Sequence, residues 1–196
     1  MHDDLGTDLT NLVLITQTLV QQNTGSQYEL EKLGGKASDL IDKLSQIIWA
    51  MNPAYDYLPN LTAYISRFVA KQCELNKMHF HIEKSENIPP ARIGASLRRN
   101  IFLILKEALN NSIKHGRASD ITLTFNFTGS LLKISLKDNG VGFTTEEKMN
   151  TGNGISNLLK RSQMINADLS IISSPGNGTI IGIEIKIESA GSTALS

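Results

Sequence analysis

Hydrophobic positions at the start of the chain recur in steps of three and four residues. This spacing lines apolar side chains along one side of a helix. Turn-forming residues at 22–26 separate the two series, so the pattern predicts a helical hairpin over residues 1–52. The two series are Leu5, Leu9, Leu12, Thr16 and Leu19, then Leu30, Leu33, Ala37, Leu40, Leu44, Ile47 and Met51.

Two short helices bury little apolar surface when they stand alone. Pairing two copies of the hairpin completes a four-helix bundle, so we expect a homodimer. Packing of the hairpin on the rest of its own chain is the alternative. Asn52-Pro53 ends the second helix, and residues 53–60 are predicted to be a linker.

Downstream of the linker the pattern mixes helical and strand periods. Apolar and polar residues alternate along 121–127 and 132–138, as is typical of half-buried strands. Further strands are predicted near 78–83, 169–173 and 181–187, with helices at about 61–75, 95–115 and 155–166. The order is not a regular βαβ alternation. We therefore predict an α+β chain whose residues 61–188 form an α/β sandwich, with helices on one face of a mostly antiparallel sheet. Residues 189–196 are predicted to be a disordered tail.

The composition narrows the classes of partner. Nineteen Lys and Arg balance nineteen Asp and Glu, so there is no electrostatic reason to expect direct binding of nucleic acid. The single cysteine, Cys73, excludes an intramolecular disulfide.

Polar residues mark one side of the long helix predicted at 95–115. Glu107, Asn111 and Lys114 are spaced i, i+4 and i+7, which places them on one face of an α-helix. Amide and carboxylate oxygens are suited to Mg²⁺, and an ammonium can balance phosphate charge. A solvated polar face is the alternative interpretation.

A second group of residues closes the strand at 132–138. Asp138 lies on the same face as the apolar residues of that strand, and Gly140 and Gly142 follow it. A buried carboxylate requires a hydrogen-bond partner, such as the amino group of a base. Glycines let backbone approach a ligand closely. An ordinary β-turn is the alternative.

A third group precedes the last predicted helix. Gly152 and Gly154 can bring backbone N–H groups to phosphate oxygens at a helix N-terminus. A lone Gly-x-Gly is a weak signal, and here it is neither a Walker loop nor a dinucleotide fingerprint.

The order and spacing of these groups resemble the ATP-binding domain of histidine kinases. That domain class also includes the ATPase domains of type II topoisomerases, Hsp90-type chaperones and MutL-type repair proteins. The resemblance implies that Asn111 ligates Mg²⁺, that Glu107 supports the metal or a water, and that Asp138 contacts the adenine amino group. It further implies a lid over about 144–152 and a nucleotide-binding set of Asn111, Lys114, His115, Asp138, Gly140, Gly142, Gly152, Gly154 and Thr179.

The first residues of the chain suggest which of these ATPases it is. The run from His2 to Gly6 resembles the phosphoacceptor box of sensor kinases whose regulators usually carry helix-turn-helix output domains. The resemblance implies that His2 is the nucleophile. Asp3 can orient the other ring proton of that imidazole.

The resemblance as a whole implies the core of a two-component sensor histidine kinase. We expect ATP-dependent phosphorylation of His2, then transfer to an aspartate of a response regulator. The helical pattern begins at the first residues, so we expect a cytoplasmic piece of a longer, membrane-associated sensor. Two alternatives share the ATP-binding fold: a serine kinase of the anti-sigma-factor type, and a regulatory dimer that binds ATP without turnover.

Overall fold

The computed structural model describes residues 11, 14, 32–37, 40, 44, 48–49, 52–144 and 153–187. The chain divides into two compact units, Met1–Asn52 and Pro53–Ser196. In the described part of the first unit, residues 11, 14, 32–37, 40, 44, 48 and 49 are helical. Leu40 and Trp49 are buried there, whereas Leu44 and Ile48 are exposed. Most of the predicted hairpin, including its turn at 22–26, lies outside the described residues.

The second unit is built on a mixed five-stranded sheet. Its strands are β1 (His79–Lys84), β2 (Asp120–Thr128), β3 (Leu131–Asp138), β4 (Asp168–Ser173) and β5 (Thr179–Lys186). Their order across the sheet is β1-β2-β3-β5-β4. Only β1 and β2 run parallel within this sheet, because a long helical connection separates them along the chain. The predicted α+β class with a mostly antiparallel sheet is confirmed for this unit.

The alternating patterns of β2 and β3 place one row of each strand in the core. Ile121 pairs with Asp138 and Leu123 pairs with Leu136, so the apolar rows of the two strands lie side by side. These side chains are buried, while the lysines between them on β3 are exposed. The register therefore places Asp138 at the end of an apolar row, which is the feature that positions the site.

Within the described part of this unit, three helices cover the sheet. They are α1 (Leu58–Leu75), α2 (Ala95–Asn111) and α3 (Asn153–Gln163). The first packs on β1 and β2, the second on β3 and β5, and the third on α2 and β4. Phe102 of α2 meets the rings of Tyr64 and Phe68 of α1 edge-on, with centroids 5.3 and 5.0 Å away. No helix among the described residues is long and apolar enough to span a bilayer.

Burial also affects Cys73 of α1. It raises the pKa of this thiol to about 11, so the group stays protonated and unreactive at neutral pH.

The segment predicted as a linker is ordered against the second unit. Pro53–Tyr55 form a turn of 3₁₀-helix, and α1 begins at Leu58, three residues before its predicted start. The Leu58 N–H donates to the carbonyl of Ala91 at 2.9 Å, and the Ile93 N–H donates to that of Asp56 at 2.7 Å. Proline near the first turn of α1 is compatible with a helix, because the first N–H groups of a helix need no internal partner. The proline at 59 was therefore a poor signal for continued linker.

An ion pair fixes this segment to the long helix. The Asp56 carboxylate accepts a hydrogen bond from the guanidinium of Arg98, whose side chain is completely buried in the first turns of α2. Arg92 approaches the other carboxylate oxygen at 3.6 Å from an exposed position.

Candidate functional site

The long helix changes its geometry where it reaches the site. After Asn111, the chain continues as a π-helical turn, Ser112–Gly116, and Arg117 ends it in the left-handed region with φ +50°. The wider turn shifts the residues after Asn111 from the positions that an α-helix would give them. Lys114 and His115 are both exposed. The spacing argument that placed Lys114 on one face with Glu107 and Asn111 assumed an unbroken α-helix, and that assumption does not hold.

Asp138 is the buried polar group at the centre of the site, with only 4% of its surface exposed. Its Oδ2 lies 2.7 Å from the hydroxyl of Ser112, which donates to it. Its Oδ1 accepts the backbone N–H groups of Gly140 at 2.9 Å and Thr179 at 3.2 Å. These donors supply the partner that burial of a carboxylate requires.

Glycines allow the backbone to close around this carboxylate. A Cβ on Gly140 would overlap the carbonyl group of Gly116. A Cβ on Gly142 would overlap the carbonyl oxygen of Ser174, and Gly142 also has a φ of +62°. The carbonyl of Gly116 accepts the N–H of Val141 at 2.8 Å, which ties the loop after β3 to the end of the π-helical turn.

The start of β5 forms the other side of the site. The hydroxyl of Ser173 lies 3.0 Å from that of Thr179 and 3.0 Å from the carbonyl oxygen of Gly178. It also accepts the N–H of Phe143 at 3.0 Å. The side chain of Thr179 is thus held beside Asp138 by the end of β4.

A small cavity opens between these elements. It brings together a buried carboxylate, polar groups from the π-helical turn and an apolar wall from α2, α3 and β5. Its lining residues are Ala108, Asn111, Ser112, His115, Gly116, Asp138, Gly142, Phe143, Ile155, Leu158, Thr179 and Ile181. An apolar slot with one oriented carboxylate is suited to a flat heteroaromatic ring that carries a hydrogen-bond donor at its edge.

Glu107 and Asn111 lie one turn apart on α2, next to the start of α3. A Cβ built on Gly154 would lie 3.2 Å from Oε1 of Glu107 and 3.8 Å from Nδ2 of Asn111. A side chain at Gly154 would therefore crowd the carboxylate and the amide. The two groups supply hard oxygen atoms side by side at a helix N-terminus. Mg²⁺ is commonly held by one or two such protein ligands together with substrate phosphates, so the donor set fits this metal.

A polar network supports the loop from outside the cavity. The side chain of Asn139 accepts the N–H groups of Ser119 and Asp120 at 2.9 and 3.0 Å. Its amide donates to the carboxylate of Asp120 at 2.7 Å. The hydroxyl of Ser119 lowers the pKa of Asp120, with smaller contributions from His79, Asn139 and His81.

The structure brings together most, but not all, of the residues that the sequence singled out. Asn111, His115, Asp138, Gly142 and Thr179 line one cavity, and Gly140 and Gly154 border it. Lys114 is absent from its lining, and Glu107 lines a neighbouring hollow. His2, Asp3 and Gly152 lie outside the described residues.

Three residues that help to form the site around Asp138 were not predicted from the sequence. They are Ser112, Gly116 and Ser173. The i+4 spacing from Ala108 to Ser112 could have shown that a hydroxyl reaches the core. The roles of Gly116 and Ser173 depend on contacts between segments distant in sequence.

Comparison with known proteins shows which protein family and which solved structures the second unit resembles. Residues 97–189 match the family described as histidine kinase-, DNA gyrase B-, and HSP90-like ATPase. Among solved structures, the histidine kinase domain of the Erythrobacter litoralis EL346 blue-light activated histidine kinase aligns with a TM-score of 0.58 at 18% identity. That alignment covers 93% of this chain and 85% of the other. The Acinetobacter baumannii histidine kinase AdeS aligns with a TM-score of 0.61 at 15% identity, covering 96% and 99% of the two chains. These structures share the fold.

Sequence relatives narrow the class further. The chain is 27% identical over 165 residues to sensor histidine kinase ComP of Bacillus subtilis (strain 168), covering 82% of this chain and 21% of ComP. It is 24% identical over 191 residues to oxygen sensor histidine kinase NreB of Staphylococcus carnosus (strain TM300), covering 95% of this chain and 54% of NreB. The chain thus spans about half or less of the length of these relatives.

These matches show similarity at two levels. Residues 97–189 of the second unit are similar to the histidine kinase-, DNA gyrase B-, and HSP90-like ATPases. Over most of its length the chain is similar in sequence to sensor histidine kinases and in fold to histidine kinase domains, in agreement with the resemblance inferred from its sequence.

Proposed function

We propose that this chain is the kinase core of a two-component sensor protein, which binds ATP and phosphorylates its own His2. The observation that carries the proposal is the buried carboxylate of Asp138 in an apolar cavity, fixed by Ser112 and two backbone N–H groups. A site of this kind can recognise adenine by its edge and its flat faces.

The carboxylate of Asp138 would accept a hydrogen bond from the amino group of the adenine. An ionised carboxylate has about four acceptor positions, of which the three protein donors occupy at most three. The remaining position can accept an N–H of the base. Ile155, Leu158 and Ile181 would cover the ring and exclude water from that hydrogen bond, which strengthens it.

Asn111 and Glu107 would hold Mg²⁺ at the phosphates. When bound, the metal neutralises negative charge on the triphosphate. The side-chain oxygen of Asn111 is the direct ligand in this proposal, and Glu107 holds a water or the metal itself. The nearby Gly154 keeps the space beside both side chains open.

His2 would then receive the phosphoryl group. A ring nitrogen of the neutral imidazole forms a bond to the γ-phosphorus, the bond from phosphorus to the bridging oxygen breaks, and ADP leaves with the electron pair. Asp3 holds the proton on the other ring nitrogen. A second transfer moves the phosphoryl group from His2 to a carboxylate oxygen of a response-regulator aspartate.

This proposal assigns a role to each part of the chain. Residues 1–52 would form the dimerisation and phosphotransfer hairpin, and residues 61–188 the catalytic domain that binds ATP. A homodimer would place two phosphoacceptor histidines in one bundle. The relatives are longer than this chain. A sensor region would therefore complete the whole protein, which we propose to be membrane-anchored with this core in the cytoplasm.

Incubation with γ-labelled ATP and Mg²⁺ tests the proposal. We expect label that is lost in acid, as phosphohistidine is, and that is absent from His2→Gln. The matched control is His81→Gln, which removes an exposed strand histidine and leaves labelling unchanged. Binding of ATP to each variant is measured in parallel, so that loss of the nucleophile is separated from loss of the site.

Three outcomes would contradict the proposal. Acid-stable label would indicate a serine kinase, and persistent label in His2→Gln would exclude this nucleophile. Tight ATP binding without any label in the wild-type chain would indicate a regulatory nucleotide-binding dimer.

A further inference from the structure

A polar hollow lies between α2 and α3, beside the site described above. It has three charged side chains, two amides and an apolar floor. Its lining residues are Leu103, Lys106, Glu107, Asn110, Asn157, Leu158 and Arg161. Glu107 and Leu158 connect this hollow to the nucleotide site, because Glu107 also borders Gly154 and Leu158 also lines the cavity around Asp138.

Arg161 is the cation in this hollow that is available to a ligand. Its side chain is half-buried. Within the part of the chain that the structure describes, it forms neither a hydrogen bond nor an ion pair, whereas Lys106 already has an interaction partner. A guanidinium that is partly withdrawn from water gains from an anionic partner, and its planar donors match a phosphate group.

The helix directs Arg161 toward the phosphate side of the site. Arg161 follows Gly154 by seven residues, or two turns, so both lie on the same side of α3. Helical side chains lean toward the N-terminus of their helix. Arg161 and Glu107 line the same hollow, and Glu107 lies beside Gly154, where the triphosphate is expected to end.

Lys114, the cation that the helical spacing favoured, does not lie at this site. Lys114 lies in the π-helical turn, is exposed, and lines neither the cavity nor the hollow. Among the described residues, Arg161 is therefore a better placed cation than Lys114 for a phosphate beside Glu107.

We propose that Arg161 binds the terminal phosphate of ATP and so distinguishes ATP from ADP. This inference rests on the proposed nucleotide function of the same site. It adds the residue that binds the γ-phosphate. Asn157, one turn before Arg161 on the same helix, lies at the rim of the hollow and can donate to the same phosphate.

Nucleotide affinities of the 196-residue chain test this assignment without relying on turnover. The dissociation constants of MgATP and MgADP are measured for the wild type, Arg161→Gln and Lys160→Gln. The last variant removes an exposed cation from the next position of α3 and is the matched control. We expect Arg161→Gln to weaken MgATP binding about tenfold or more, as for loss of a charge-assisted hydrogen bond, and to change MgADP binding by less than about twofold. Lys160→Gln should leave both affinities within about twofold.

Arg161→Lys provides a second variant that keeps the charge. Its MgATP affinity should fall between those of the wild type and Arg161→Gln, because an ammonium cannot bind phosphate in the bidentate manner of a guanidinium. Thermal unfolding of each variant without nucleotide identifies any general loss of folding.

The ratio of the MgATP affinity to the MgADP affinity of each variant shows whether Arg161 binds the terminal phosphate. Equal weakening of MgATP and MgADP, or no weakening of either, would overturn the assignment of Arg161. Unchanged MgATP affinity with slower autophosphorylation would also overturn it, because Arg161 would then act on Glu107 rather than on the phosphate. If the wild type binds neither nucleotide, the failure lies with the proposed function and not with Arg161 alone.

Discussion

Asp138 shows how a single polar residue depends on distant parts of the chain. Its carboxylate is buried, and its three donors come from the π-helical turn, from its own loop and from the start of β5. Gly140 and Gly142 let these segments meet, because a side chain at either position would overlap the backbone of another segment. The carboxylate is therefore oriented before any ligand arrives, which reduces the ordering that binding would require.

Alanine variants of two glycines with positive φ can distinguish the cost of backbone strain from the cost of steric crowding. Gly142→Ala places a methyl group against the carbonyl of Ser174, whereas Gly176→Ala, at φ +80°, meets open space. We expect Gly176→Ala to lower the free energy of unfolding by about 1–2 kcal/mol, the cost of a left-handed non-glycine residue. Gly142→Ala should lower it further and weaken ATP binding. Urea unfolding and nucleotide titration of both variants provide the measurement, and equal effects would show that crowding at Gly142 is unimportant.

At the scale of elements, two features decide what the long helix presents to the site. Its first turns are held by the ion pair between Arg98 and Asp56, from the segment that precedes α1. Its last turn, which begins at the inward-facing Ser112, widens into a π-helix that leaves Lys114 exposed. The helix is thus fixed at one end and reshaped at the other, with Glu107 and Asn111 between.

The ion pair at the start of α2 should contribute strongly to stability. Asp56→Ala leaves the completely buried Arg98 without its carboxylate, and we expect a loss of roughly 3 kcal/mol in the free energy of unfolding. Arg92→Ala removes an exposed, more distant cation from the same carboxylate and should cost less than about 1 kcal/mol. Chemical denaturation distinguishes the two values. A small effect of Asp56→Ala would mean that other groups satisfy Arg98.

For the molecule as a whole, homodimerisation through the first unit remains a prediction, and two leucines of that unit bear on it. Leu40 and Leu44 belong to one heptad series, yet Leu40 is buried and Leu44 is 47% exposed. A second copy of the hairpin would cover such a leucine, as expected for a four-helix bundle.

Disruption of this series should dissociate the homodimer without unfolding the second unit. We expect the wild type to sediment at twice the chain mass of 21.5 kDa, and Leu44→Lys to sediment as a monomer that still binds ATP. Lys32→Glu, which changes an exposed residue outside the series, is the control and should remain dimeric. A monomeric wild type would contradict the proposed assembly.

The sequence by itself determined the α+β class, the strand positions and the class of the ATPase domain. These properties follow from local periodicity and from ordered short motifs, which can be recognised without knowing what packs against them. The alternation of β3, for example, was sufficient to place Asp138 on the buried face. The tertiary structure decided which groups meet. The partners of Asp138, the contacts of Gly116 and Ser173, and the ion pair of Arg98 join residues far apart in sequence. The π-helical turn also departs from the α-helical spacing on which the prediction for Lys114 depended. The hollow around Arg161 exists only because α2 and α3 pack together, and helical periodicity in either segment alone carries no information about that contact.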